Sequence, residues 1–395
     1  MQRNALRFVL GAQFFSALAD NALLFGAIEL VRQMAYPEWS IPVLQQFFVI
    51  AFIVLAPFAG VFADGFSKGR VMFWSNGLKL AGAAAMLAGL NPFLAYGLVG
   101  VGAALYSPAK YGILSDLVPN EKLISANGMM EGSTIAAILL GVVAGGKLAD
   151  MDVLYALGFV LTLYVIASLL AICIPLIAPE RPYHHGQLPK AFGNFKTALK
   201  TLWADRDARY SVLGTSLFWG VGATMRFLLV AWVPYALLIT GNTLPANLNG
   251  ATAVGIVIGA AIAPRVLKME TAYKSIGAGV ALGCVIALLS TINQVWQAYA
   301  LVAVVGALGG FFVVPLNALL QKRGHELVGT GSAVAVQNLA ENSIMLLMVG
   351  AYTGLSHGGV TPVSTAILFG ISFSVLCLWL ALAWKQSRKI SAVQA

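Results

Sequence analysis

The sequence predicts an all-α integral membrane protein of about twelve membrane-spanning helices, arranged as two pseudo-symmetric six-helix bundles. Three observations carry that prediction. Of 395 residues, 59% are hydrophobic and only 10% charged, whereas a soluble domain carries about 25% charged residues to cover its surface. The apolar residues gather in runs long enough to cross a bilayer, which takes about 20 residues. One long polar segment, 179–208, divides those runs into two sets.

The first set occupies 7–31, 41–63, 70–90, 94–116, 124–148 and 153–178. The second occupies 209–238, 246–266, 272–292, 296–320, 328–355 and 361–384. The domains that follow are an N-terminal bundle (1–178), a linker (179–208) rich in Pro, Lys, Arg, His and Asp, and a C-terminal bundle (209–395). Many of the 41 glycines lie inside the runs, where small residues let helix backbones approach closely. Arg3, Arg7 and Ala17-Leu18-Ala19 imitate a secretory signal and its cleavage site. Cleavage there would cut an apolar run that continues past residue 30, so the segment is read as a retained helix.

Orientation follows from loop charge. Most of the 24 Lys and Arg residues fall in loops on the side of the N-terminus, and the opposite side holds only Arg32 and Lys147. The positive-inside rule then makes both termini cytoplasmic. The same distribution explains the net charge of +9 without a nucleic-acid surface, which would gather the charge on one stripe or tail. Cys173, Cys284 and Cys377 stand alone in apolar runs, and His184-His185 lie in a polar loop without other ligands. Neither pattern marks a metal site, and no cofactor is expected. There is no phosphate-binding Gly-rich loop, no Ser-His-Asp arrangement and no His followed four residues later by Asp, so the chain does not read as an enzyme.

The halves also look like repeats. Pro108 in Tyr106-Ser107-Pro108-Ala109-Lys110 has a counterpart in Pro315 of Val313-Val314-Pro315-Leu316-Asn317, and Glu131 has one in Glu341 at a nearly equal offset. Each proline leaves a backbone carbonyl without its partner and marks a kink. Two parallel six-helix repeats are the layout of the major facilitator superfamily.

Ionisable residues inside spans are costly and point to function. Asp20, followed by Asn21, lies about 20 Å into the first helix counted from Arg7, and Arg226 about 25 Å into the seventh span counted from Arg209. An acid and a guanidinium near the midplane suit a zwitterion or an anion; the alternative is an ion pair that only locks the halves. Lys110, just after Pro108, offers a point charge to phosphate or snorkels to the interface. Lys79, Glu131 and Glu341 complete the set as charge-pair or gating residues, with Lys79 and Lys110 as partners for the glutamates. Glu29 is read as interfacial. In the loop 60–70, Asp64, Lys68 and Arg70 resemble the superfamily's cytoplasmic G-x-x-x-D…G-[RK] latch, although Gly65 stands where that motif has Arg.

A closer resemblance rests on longer strings. Phe14-Phe15-Ser16-Ala17-Leu18-Ala19-Asp20-Asn21-Ala22-Leu23-Leu24-Phe25, Tyr106-Ser107-Pro108-Ala109-Lys110-Tyr111-Gly112-Ile113-Leu114, Arg226-Phe227-Leu228-Leu229-Val230 and Gly309-Gly310-Phe311-Phe312-Val313-Val314-Pro315-Leu316-Asn317 are similar to the bacterial lysophospholipid transporters. The resemblance implies movement of lysophosphatidylethanolamine and lysophosphatidylglycerol across the inner membrane to the cytoplasmic leaflet. There an acyltransferase/acyl-acyl-carrier-protein synthetase would restore the missing chain. It implies a polar substrate site at Asp20, Lys110 and Arg226, and Asn21 is read beside Asp20 as a further substrate-binding residue for the ethanolamine ammonium. The other reading is a proton-coupled drug or metabolite exporter of the same superfamily, with Asp20 as the proton site.

Overall fold

The computed structural model describes residues 2–36, 41–179, 181–183, 188–239 and 243–393, without the side chains of 2–4, 41–42, 243 and 387–393. The first bundle's helices are α1 (Gln2–Gln33), α2 (Ile41–Gly65), α3 (Lys68–Leu87), α4 (Pro92–Leu117), α5 (Asn120–Met151) and α6 (Val153–Ile172). The linker holds α7 (Ala191–Ala204). Then come α8 (Arg206–Ala236), α9 (Thr243–Val266), α10 (Ile276–Ala287), α11 (Val295–Leu327), α12 (Thr330–His357) and α13 (Pro362–Val393). Single 3₁₀ segments, Met269–Ser275 and Leu288–Thr291, flank α10 and extend it to spanning length.

Eleven of these helical segments are long and apolar enough to cross a membrane. The twelfth expected span, α3, falls short because it carries Lys68, Arg70 and Lys79, two of which are buried inside protein rather than offered to lipid. The linker differs from the sequence reading by forming a helix. Ala191, Ala198 and Leu202 recur at helical spacing and are buried, while Lys196 and Lys200 stay exposed.

Local chemistry sets the boundaries. Asn91 caps α4 by accepting from the N–H groups of Phe93 and Leu94 at 3.0 and 3.3 Å, with Pro92 in the first turn, where a missing N–H costs nothing. Asp152 caps α6 through Leu154 N–H at 2.8 Å. Asp205 caps α8 through Asp207 and Ala208 at 3.1 and 2.8 Å. Pro108 and Pro315 lie inside continuous helices.

The chain forms two compact units. The first joins Met1–Pro119, Ser133–Thr201 and Gly324–Leu339; the second joins Asn120–Gly132, Leu202–Arg323 and Ala340–Ala395. In the first, a core of small and aromatic residues, including Ala19, Ala22, Leu23, Tyr96, Val99, Leu157 and Tyr164, packs around α1. In the second, α9 and α11 meet through Gly255, Gly259, Gly306 and Gly310. A Cβ on Gly259 would collide with the Ala307 carbonyl, and one on Gly306 with the Thr252 carbonyl. This reciprocal small-xxx-small packing brings two backbones into contact without any polar side chain. Outward surfaces are apolar instead: Ile50, Val54, Leu94, Val143, Leu169 and Ile172 are all at least half exposed, as lipid-facing residues should be.

Candidate functional site: a buried charge cluster and an uncommitted guanidinium

In the first unit, α1 presents Asp20 to α3 and α6. Its Oδ2 accepts from Lys79 Nζ at 2.7 Å, and its Oδ1 from the Tyr164 hydroxyl at 2.7 Å. Lys79 also donates to Ser16 Oγ at 3.0 Å, and Ser16 donates to Asn76 Oδ1 at 2.7 Å. The ammonium stands 4.7 Å from the centre of the Tyr106 ring, a cation–π contact that is strongest when water is excluded. Ser16 and Asp20 are four residues apart on α1, and Asn76 and Lys79 three apart on α3, so each pair shares a helix face. Lys79 therefore takes Asp20, not the glutamates the sequence had offered it. The reason is that α1 and α3 belong to one packed core, whereas Glu131 lies in the second unit.

The cluster is asymmetric. Lys79 is 2% exposed and Asp20 21%, so the acid keeps one open side while its partner is sealed. The Asn76 Nδ2 and the Tyr106 hydroxyl are buried without a hydrogen-bond partner among the described residues, leaving polar capacity beside the pair. Asn21 turns its amide back to the Ala17 carbonyl at 2.8 Å. Lys110 is half-buried on α4, with its ammonium 4.7 Å from the Tyr111 ring centre.

Arg226 belongs to the second unit and is exposed on α8. Among the described residues it takes no hydrogen bond or ion pair, so its donors are uncommitted. In the same unit α5 and α11 meet in two polar rungs. Asn127 and Gln321 exchange amide hydrogen bonds at 2.8 and 2.7 Å, and Glu131 accepts from Asn317 Nδ2 at 3.1 Å. Both acids read as gating residues, Glu131 and Glu341, are buried.

Asp64 ends α2 and caps the first turn of α12. It accepts from Gly331 N–H at 2.6 Å, Ser332 N–H at 2.8 Å and Ser332 Oγ at 2.7 Å, placing a carboxylate on a helix N-terminus. Gly329 precedes it with φ of +99°, and a Cβ there would strike the Asp64 carboxylate. Lys68 runs past Gly112 to Asp116 at 2.9 Å, with the two side chains 2% and 8% exposed. Arg70 is exposed. Arg181 donates its backbone N–H to the Asp64 carbonyl and its guanidinium to the Leu327 carbonyl, at 3.1 and 3.0 Å. Sequence reasoning missed Tyr164, Asn76 and Asp116, each a lone polar group without a motif around it. Among the described residues no cluster of His, Cys, Asp or Glu is placed to hold a metal ion, and His184-His185 lie outside them.

Apolar spans, a buried lysine paired with a half-open aspartate in the first unit and, in the second, an exposed guanidinium without a partner among the described residues are the features of a multi-pass membrane transporter. The chain belongs to the Major Facilitator Superfamily, whose profile matches residues 9–342. It is 52% identical over 377 residues to the lysophospholipid transporter LplT of Escherichia fergusonii, covering 95% of each chain. It is 55% identical over 345 residues to the protein of the same name from Yersinia pestis, covering 87% of this chain and 85% of the relative. A crystal structure of the superfamily transporter FucP in the outward conformation shares the fold, with a TM-score of 0.75, 14% identity, and 96% and 98% of the two chains covered.

Proposed function

We propose that the protein moves lysophospholipids, chiefly lysophosphatidylethanolamine and lysophosphatidylglycerol, across the bacterial inner membrane to the cytoplasmic leaflet. The observation that carries this reading is Arg226, a guanidinium inside a membrane span with its donors uncommitted among the described residues. A phosphodiester matches that fork with two parallel hydrogen bonds. Lys110 adds a second cation for the phosphate. Asp20, beside Asn21, receives the ethanolamine ammonium on its open side. A carboxylate has about four lone-pair sites, so Lys79 and Tyr164 do not exhaust it. For a glycerol head group Lys79 remains the only cation on Asp20 among the described residues.

The two six-helix bundles, 1–178 and 209–395, would rock by alternating access around the head group, and breaking the Asp64 cap on α12 would be one step of that cycle. Loop charge supports an orientation with both termini cytoplasmic. The delivered lysolipid then meets an acyltransferase/acyl-acyl-carrier-protein synthetase that restores the second chain, so this protein needs no catalytic groups of its own.

The test is reconstitution into liposomes with labelled lysophosphatidylethanolamine. Protein-dependent movement that survives collapse of the proton gradient supports a lipid facilitator. Movement lost with the gradient, or uptake of unrelated solutes in place of lysolipid, supports the proton-coupled exporter.

A further inference from the structure

In the second unit, the end of α7, the first turns of α8 and the C-terminal part of α13 enclose a groove of about 310 Å³ lined by Trp203, Arg206, Arg209, Tyr210, Trp379 and Trp384. None of these residues belongs to the transport site described above. Arg206 lies 5.0 Å from the Trp384 ring centre and 3.2 Å from Asp207. Asp207 also accepts from the Trp384 indole at 2.8 Å. Arg209 gives one bond, at 2.6 Å, to the Trp203 carbonyl. The other nearby acid, Asp205, is taken by Arg323. Among the described residues, two guanidinium groups, with exposed Lys385 following Trp384, thus share one carboxylate, Asp207.

The apolar side of the groove is equally specific. Trp203 and Trp379 are 52% and 58% exposed, although an indole left in water is unfavourable and one at a bilayer interface is not. From Trp379 an exposed stripe of Val375, Ile371 and Leu368 runs along α13 away from Lys385, at the spacing of one helix face. The groove therefore has cations at a helix end, indoles at the boundary and a hydrocarbon track leading away. That order matches phosphate, glycerol and acyl chain, and basic pockets between spans are a recurring form of anionic lipid recognition.

We propose that this groove binds an anionic diacyl phospholipid of the leaflet on the linker side, with its phosphate on Arg206 and Arg209 and an acyl chain along α13. The lipid is a resident of the bilayer, not cargo.

The experiment uses the full chain in an uncharged detergent. Tryptophan quenching is measured with phosphatidylglycerol or phosphatidylcholine brominated in the acyl chains. The phosphatidylglycerol should half-saturate quenching at several-fold lower mole fraction, and Trp379→Phe should reduce the amplitude. Arg206→Gln/Arg209→Gln should abolish the preference, as Arg209→Gln alone should weaken it. The preference should persist in Asp20→Asn and Arg226→Gln, which separates this site from the transport site. Equal quenching by the two lipids in the unsubstituted protein would overturn the proposal. So would a preference unchanged by the arginine substitutions, or displacement by soluble glycerol phosphate, which would mark a phosphate site without a lipid.

Discussion

The Lys79 ammonium stands 2.7 Å from the Asp20 carboxylate, with 2% of the lysine side chain exposed against 21% of the aspartate. The pair is thus one-sided: the cation is fixed inside the first bundle, and the acid is the part that can meet anything else. Removing Asp20 leaves the buried Lys79 ammonium uncompensated, which costs about 3–5 kcal/mol in a buried pair, whereas removing both is far cheaper. The Asp20→Asn variant should therefore lose both stability and lysolipid movement. Asp20→Asn combined with Lys79→Met should recover much of the stability and none of the transport. Thermal unfolding beside the flux assay separates the two effects; equal destabilisation in the single and double variants would mean that the pair is not coupled.

Tyr164→Phe tests how the acid is oriented. The lost hydroxyl bond to an ionised group is worth about 1.5–3 kcal/mol, and the ring stays in place. Unfolding should shift downward by that order, and the head-group preference should change more than the protein level in the membrane does.

The cap of α12 makes a third, local prediction. Asp64→Ala removes three hydrogen bonds to Gly331 and Ser332, with a loss of about 1–2 kcal/mol for a helix cap. Amide exchange at 330–333 should rise several-fold while exchange in α4 is unchanged. Gly329→Ala should act in the same direction, because the residue has φ of +99° and no room for a Cβ.

Close helix packing gives a fourth. Gly259→Leu would force α9 away from the Ala307 carbonyl, and overpacking of this kind costs about 1–3 kcal/mol or more. The variant should fold poorly, whereas Gly250→Leu, with nothing within 4 Å of a Cβ, should be tolerated.

Asp205 supplies a pH dependence. Burial would push its carboxyl up, but hydrogen bonds from Arg323 and the N–H groups of Ala208 and Asp207, with the guanidinium charge, hold it below the ordinary value of 3.8. A depressed carboxyl contributes stability that is present above the unfolded value and lost as pH falls through the folded one. Acid unfolding scans below about pH 4 should show this loss, and Arg323→Gln should flatten it.

The spans were legible because lipid imposes one rule on every exposed residue, and hydropathy reads that rule directly. Asp20, Lys110 and Arg226 stood out for the same reason, since each is a charge in an apolar run. What the sequence withheld was pairing. Lys79 and Asp20 are separated by 59 positions and Tyr164 and Asp20 by 144, and no local pattern records which helices share a core. The α7 helix was hidden by the linker's polar composition, although Ala191, Ala198 and Leu202 carried its period. Asn127 and Gln321 form a rung across α5 and α11 that only the packed structure reveals.

The central claim is that an anionic lysolipid head group is handled by Arg226 and Asp20, and one measurement addresses it most directly. Labelled lysophosphatidylethanolamine is followed across liposomes carrying the unsubstituted protein, Arg226→Gln or Asp20→Asn, each verified as folded. The account predicts protein-dependent movement that falls at least tenfold in both variants. Undiminished movement in folded Arg226→Gln protein would contradict it.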